Sequence, residues 1–127
     1  QDSSKICMDK DLSKKLVSDK GIGTPKWIAS SSLPSESQLE SLGLPIIVKP
    51  NDQGSTIGLS LVKDKIEIGS AFKIASNFAD SVMFESFILG REITVPIIGS
   101  NSYSIVEIVP KKNLYDYECK YTAGMSE

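Results

Sequence analysis

VKPNDQGSTIGLSLV, residues 48–62, is the stretch on which the fold turns. A lysine stands at the end of an apolar strand, a run of small polar residues and glycines follows, and a second strand begins at once. Side chains alternate along Pro45-Ile46-Ile47-Val48-Lys49-Pro50, so Lys49 shares a face with Ile47 while Ile46 and Val48 share the other. A lysine so placed either guards a sheet edge or faces an anion. Taken alone, the edge reading leads, because a charge is rarely buried without a partner. The loop Asn51-Asp52-Gln53-Gly54-Ser55-Thr56-Ile57-Gly58 shifts the balance, since its two glycines relax the backbone and its N–H groups can converge on phosphate oxygens. It is not a P-loop: Gly-Lys-Ser/Thr is absent and a strand, not a helix, comes next. A loop slung between antiparallel strands acts instead as a flap over a phosphate, with Lys49 beneath it as point charge. A plain flexible hairpin is the competing reading.

Outward from this stretch the pattern mixes helix and strand. Met8, Leu12 and Leu16 recur at four-residue steps with Val17 beside them, which predicts a short amphipathic helix stopped by Gly21. Lys26 to Ala29 reads as a strand. Ser35-Glu36-Ser37-Gln38 has the form of a capping box and opens a brief helix ending at Gly43. Pro45 to Pro50 and Ile57 to Val62 are strands, and Ile68, Ala71, Phe72 and Ala75 place a helix over about residues 66–78. Val82 to Ile88, Glu92 to Ile98 and Tyr103 to Val109 follow as extended segments, the last two flanking the hairpin signal Gly99-Ser100-Asn101-Ser102. This order predicts an α+β domain, a mainly antiparallel sheet with flanking helices.

Composition narrows the function classes. The 127 residues are 40% hydrophobic and 24% charged with net charge −2, an ordinary globular balance that carries no footprint for nucleic acid and no basic block for a membrane surface. No apolar run approaches the ~20 residues of a membrane-crossing helix. There is no histidine, so a Ser-His-Asp triad, a Cys-His pair or a His-ligated metal is excluded within the chain. Cys7 and Cys119 show neither disulfide-framework nor zinc spacing and read as reduced thiols of a cytoplasmic protein. The start at Gln1-Asp2-Ser3-Ser4, without an initiator Met, leads us to expect a piece of something longer.

Met83-Phe84-Glu85-Ser86-Phe87-Ile88-Leu89-Gly90-Arg91-Glu92 adds a second constellation: a glutamate inside an apolar strand, and another after a glycine turn. A buried carboxylate needs a partner, because an isolated ionised group costs several kcal/mol or shifts its pKa. An exocyclic amine and ribose hydroxyls satisfy one as donors. A salt bridge to a lysine or arginine elsewhere satisfies it equally well.

In this order the segments resemble the ATP-grasp fold and, within it, the D-alanine–D-alanine ligase family. The resemblance runs through Met8-Asp9-Lys10, Leu44 to Gly58, Phe84-Glu85, Gly90-Arg91-Glu92 with Thr94-Val95, and Tyr115-Asp116-Tyr117-Glu118 with Lys120-Tyr121. The strand motifs are shared more loosely by other ATP-grasp enzymes; Tyr-Asp-Tyr-Glu-x-Lys-Tyr is much narrower. The resemblance implies a partial ATP-grasp domain, with a lid-like central subdomain over about residues 26–90 and the start of a C-terminal subdomain over about 91–127. It implies ATP and D-alanine as ligands and Mg²⁺ as a cofactor whose carboxylate and Asn ligands lie outside this chain, so none is assigned to metal here. By the same resemblance Lys10 and Lys49 contact nucleotide phosphates, and Gly54 and Ser55 belong to the flap, Ser55 near the γ-phosphate. Glu85 accepts from the adenine amine, Ile88 pairs with the ring through its backbone, and Glu92 holds the ribose hydroxyls. Lys120 and Tyr121 lie on a loop closing over the site, with Ser55, Lys120 and Tyr121 the catalytic set. Tyrosine at 121, where ligases making D-alanyl-D-lactate tend to carry histidine, favours an amine nucleophile. Ser86 departs from the relatives, which often carry a larger or charged residue there.

The implied reaction is ATP-dependent joining of two D-alanine molecules through an acyl phosphate, for peptidoglycan precursor synthesis in the cytoplasm. The implied partners are small molecules, with neither nucleic acid nor membrane, and a full-length parent that is a homodimer. The missing flanking domains lead us to expect that the chain is inactive alone. Two other readings stand beside it: another ATP-grasp carboxylate–amine ligase, and a non-catalytic ATP-binding module.

Overall fold

The structure, a computed structural model, describes residues 2–109, and its chain divides into two compact units after Ile88. In the first unit α1 (Asp2–Met8) and α2 (Lys10–Asp19) lead into β1 (Trp27–Ser30), α3 (Glu36–Leu42), β2 (Ile46–Pro50), β3 (Ser60–Val62), α4 (Ile68–Ser76) and β4 (Val82–Ser86). The strands form one four-stranded sheet in the order β1-β4-β2-β3. Every pairing is antiparallel, with Ile47 opposite Glu85, Trp27 opposite Glu85 on the other side, and Ile46 opposite Val62.

Period-two alternation sorts this sheet into two unlike faces. Ile46, Val48, Val62, Val82 and Phe84 point to one side, where they pack with Leu42 of α3 and Ile68, Ala71 and Ala75 of α4. Phe72 stacks on Phe84 with ring centroids 6.0 Å apart. Each large apolar side chain fully buried there contributes about 1.5–3 kcal/mol, so this layer supplies the drive to fold. The opposite face is thereby free to carry charge.

Local signals set the helix ends. Ser35 and Gln38 form the predicted capping box, and α3 ends at Gly43. A 3₁₀ turn, Lys65–Glu67, precedes α4 and is capped by Asp64, whose carboxylate accepts from the Ile66 N–H at 3.0 Å. The first predicted helix is two. Asp9 leaves helical conformation (φ −82°, ψ 104°) and caps α2, its carboxylate accepting from the Leu12 N–H. At the other end Gly21 adopts φ +73°, donating to Ser18 O while Ile22 donates to Val17 O, a Schellman closure. The predicted apolar stripe does not face a core: Met8, Leu12 and Leu16 are 50, 42 and 39% exposed, and the buried residue of α2 is Lys14. A charged partner outweighs the apolar stripe in orienting this helix, as the site geometry shows.

The strand predicted over Ile57 to Val62 begins only at Ser60. Ser55 and Thr56 both take left-handed φ (54° and 59°), and the bonds Ile57 N–H to Gly54 O and Leu59 N–H to Thr56 O coil the chain first. Gly58 is required as glycine: at φ +68° a Cβ would lie 2.8 Å from the Phe78 ring and 3.0 Å from Pro50 Cγ.

In the second unit β5 (Glu92–Thr94) pairs antiparallel with β8 (Val106–Ile108), and β6 (Ile97–Ile98) with β7 (Asn101–Ser102). The segment read as one strand from Glu92 to Ile98 is interrupted at Pro96, which has no N–H for a ladder and whose carbonyl accepts from Tyr103. A hairpin does turn through Gly99 at φ +63°, but Asn101 and Ser102, read as part of the turn, form its return strand, and the segment read as a strand from Tyr103 to Val109 pairs as one only over Val106–Ile108.

Candidate functional site

On the charged face Glu85 occupies the centre. It stands between Trp27 on β1 and Ile47 on β2 and is buried, at 9% exposure. Lys49, two residues along β2 from Ile47, reaches back so that its Nζ lies 2.5 Å from Glu85 Oε2. The other carboxylate oxygen, Oε1, accepts from Lys14 Nζ at 2.5 Å. Lys14 also donates to Thr24 Oγ1 at 2.6 Å and lies over the Trp27 ring, 4.9 Å from its centroid. The indole N–H of Trp27 donates to Asp11 Oδ1 at 2.8 Å, so Asp11, one turn from Lys14 on α2, ties the helix to β1.

The edge reading of Lys49 fails here. Strand β2 is interior, flanked by β4 and β3, and the ammonium has a specific carboxylate partner. The salt-bridge alternative for Glu85 is realised twice over.

Lys10, the first residue of α2, binds the loop that follows β2. Its Nζ donates to Gln53 O at 2.6 Å and to Asn51 O at 3.1 Å, and its backbone N–H donates to the same Asn51 carbonyl. Asn51, buried, completes the junction: its Oδ1 accepts from the Asp11 N–H, and its Nδ2 donates to Asp9, both at 2.9 Å. Gly54 and Ser55 follow in this loop, Gly54 exposed and Ser55 half-buried in its left-handed conformation. Gln53 Nε2 donates to Phe78 O at 3.0 Å and pins the loop to the end of α4.

Electrostatics follow from this inventory. Glu85, the buried carboxylate among the described residues, is bound by the ammonium groups of Lys14 and Lys49, with Lys10 within electrostatic reach. Burial would raise the Glu85 carboxyl, but the Lys49 charge and the bonds from both lysines outweigh it and hold the group below its ordinary 4.5. Lys10 lies below its usual 10.5, first through desolvation and then through repulsion from Lys49, against the opposing pull of Asp52, Glu85 and Asp9. Asp9 is held low by the Leu12 N–H and the Asn51 amide. Asp52, Asp9 and Glu85 all lie within electrostatic reach of Lys10, so the cluster sets ammonium groups beside carboxylates rather than leaving charge unbalanced; what it offers an anion is Lys10 bonded to the loop and Lys49 on the strand that leads into it.

Of the residues predicted from sequence, Lys10, Lys49, Gly54, Ser55 and Glu85 fall on this loop and face. Ile88 follows β4 and is 65% exposed. Glu92 belongs to the second unit, where it opens β5 opposite Ile108. Lys120 and Tyr121 lie outside the described residues. Lys14, Asn51 and Trp27 were missed. Lys14 had a signal, since it follows Lys10 by four residues and so shares its helix face; Asn51 and Trp27 had none. Ser86, next to Glu85, points to the helix side and donates to Leu42 O at 2.7 Å. Among the described residues no cluster of His, Cys, Asp or Glu could hold a metal ion. A cleft of about 470 Å³ opens on the helix side, lined by Leu33, Leu39, Leu44 and Ile68, away from these charges.

An antiparallel sheet backed by helices on one face, with a glycine-containing loop between two of its strands and lysines gathered on the other face, is the ATP-grasp class of fold. A family model described as D-ala D-ala ligase C-terminus matches residues 16–127. The chain belongs to this family. The D-alanine–D-alanine ligase of Aquifex aeolicus (strain VF5) is 40% identical over 125 residues, covering 98% of this chain and 43% of that protein. The crystal structure of D-alanine–D-alanine ligase from Bacillus anthracis aligns with TM-score 0.81 at 35% identity, over 96% of this chain and 41% of that one. The same enzyme complexed with ATP aligns with TM-score 0.72 at 36% identity, over 80% of this chain and 34% of that one. The chain thus spans about two fifths of the length of the relatives it matches.

Proposed function

We propose that this chain is the nucleotide-binding core of an ATP-dependent ligase that joins two D-alanine molecules to make D-alanyl-D-alanine for peptidoglycan precursors. The observation that carries the reading is the gathering of Lys10 and Lys49 about the loop Asn51 to Gly58, beside the buried carboxylate of Glu85. Family membership supplies the class of reaction.

In this reading Lys49 and Lys10 take the nucleotide phosphates, and the flap with Gly54 and Ser55 closes over the γ-phosphate. Glu85 accepts from the adenine amine, the Ile88 backbone pairs with the ring, and Glu92 takes the ribose hydroxyls. Lys120 and Tyr121 complete the site from the loop that closes over it. The γ-phosphoryl group passes from ATP to a carboxylate oxygen of one D-alanine, leaving ADP and an acyl phosphate. The amine of the second D-alanine attacks the acyl carbon; the bond to phosphate breaks, and the nitrogen sheds a proton. Such chemistry needs positioning and charge neutralisation, not a protein nucleophile, and so suits a site of lysines and backbone amides. Magnesium, when bound, would neutralise phosphate charge. In this reading its ligands lie outside this chain.

The domain assignment goes with this reading: a lid-like central subdomain over about 26–90 and the beginning of a C-terminal subdomain over about 91–127. Cytoplasmic location and a homodimeric full-length protein are part of the same proposal. No helix among the described residues is long and apolar enough to cross a membrane. The test is phosphate release by the full-length protein carrying this chain, with ATP and D-alanine, D-lactate or L-alanine. Release that requires D-alanine supports the assignment; release with a different acid alone replaces it with another carboxylate–amine ligase.

A further inference from the structure

We infer that Lys14 is a positioning residue for recognition of the nucleotide base, the fixed partner that keeps Glu85 aimed when Lys49 turns from Glu85 to phosphate. The inference rests on the nucleotide reading above and deepens it. In the roles proposed for Lys49 and Glu85, the ammonium 2.5 Å from Glu85 Oε2 turns toward phosphate, and the direction and charge of Glu85 are then kept by its second lysine contact.

The two lysines are not equivalent. Lys49 is held through Glu85, and its side chain keeps 20% of its exposure. Lys14 is buried, with 10% side-chain exposure, and is gripped from three sides: Glu85 Oε1, Thr24 Oγ1 and the face of Trp27. Trp27 is itself fixed by Asp11 on the same helix as Lys14. Releasing Lys49 breaks one contact and gives the ammonium to phosphate, whereas releasing Lys14 would break its bonds to Glu85 and Thr24 and leave a buried cation unpaired beside Trp27. The pair therefore divides labour, Lys49 as the movable charge and Lys14 as the permanent one. Oε2, freed as Lys49 leaves, becomes the acceptor offered to an amino group on the base. A base presenting a carbonyl at that position meets a carboxylate instead and is rejected.

The experiment compares equilibrium binding of ATP and GTP to the full-length protein and its variants, with folding checked by circular dichroism. Lys14→Met is expected to weaken ATP about tenfold while changing GTP little, the size of one lost hydrogen bond to a charged group. Lys14→Arg is expected to recover most of the preference, and Lys49→Met to weaken both nucleotides alike. The loss of ATP affinity in acid is expected to begin at a higher pH in Lys14→Met than in the parent, because a buried carboxyl without its permanent cation protonates more readily. An unchanged ATP-to-GTP ratio in Lys14→Met, or an equal loss for both, overturns the inference. Should Lys14→Met fail to fold, Lys14→Met/Glu85→Gln against Glu85→Gln decides: no further loss of ATP affinity supports action through Glu85, and a further several-fold loss overturns it. A parent protein that binds neither nucleotide overturns the nucleotide reading itself, a result distinct from either.

Discussion

Replacing Glu85 by Gln tests the cluster most directly, because it removes one charge and leaves two. The shape is kept, and one amide oxygen still accepts, but Lys14 and Lys49 lose the carboxylate that neutralises both. Removing one partner of a buried ion pair costs ~3–5 kcal/mol, most of it the penalty of the charge left behind. That penalty is not equal for the two lysines. Lys49, at 20% side-chain exposure, can swing toward water, while Lys14, at 10% and wedged over Trp27, cannot. One stranded ammonium instead of two places the expected loss near the lower end, about 3 kcal/mol. Lys49→Met leaves Glu85 paired with Lys14 and is expected to cost less, about 1–2 kcal/mol. Urea unfolding followed on the emission of Trp27, which sits against the cluster, measures both. A loss below about 1 kcal/mol for Glu85→Gln, the range of solvent-exposed pairs, would refute the claim that this carboxylate is the structural centre of the face.

The same carboxylate sets an acid dependence. Its folded pKa lies below the ordinary 4.5, so its contribution is fully present above that value and is lost as pH falls through the folded pKa; the slope of unfolding free energy below pH ~4.5 is expected to shrink in Glu85→Gln, and an unchanged slope contradicts the assignment. Gly58→Ala faces a left-handed φ of +68° and a contact of 2.8 Å with the Phe78 ring. Backbone strain of ~1–2 kcal/mol and overpacking of ~1–3 kcal/mol, less ~0.4–1 kcal/mol from a stiffer unfolded chain, give a net loss of roughly 1–5 kcal/mol by equilibrium unfolding. A neutral Gly58→Ala would mean that the loop is not held against Phe78. Asn51→Ala removes two side-chain bonds that join the loop to Asp9 and Asp11. It is expected to cost about 1–3 kcal/mol and to speed amide exchange across residues 51–59; slow, unaltered exchange would show the loop to be anchored elsewhere.

Much of the architecture was legible in the sequence, because short-range rules govern it. The Ser35 to Gln38 capping box and the Gly21 and Gly43 stops appear where the residues put them. The helix face of Ile68, Ala71 and Ala75 does become core. So does the alternation of β2, with Ile46 and Val48 against the helices and Lys49 on the other side. The misses have local causes too: Asp9 preferred a cap to an uninterrupted helix, and Pro96 cut one strand into two.

What the sequence determined by itself is most of the elements, several of their caps, and the alternation of β2, since all of these depend on residues a few positions apart. The tertiary structure alone decided that β2 is interior and that Lys14, not the Met8, Leu12 and Leu16 stripe, is the inward side of α2. That orientation is set by a partner 71 residues away, Glu85. It becomes a neighbour only through the register of β4 with β1 and β2. A charge chooses its partner by distance in space, and local periodicity carries no record of that distance.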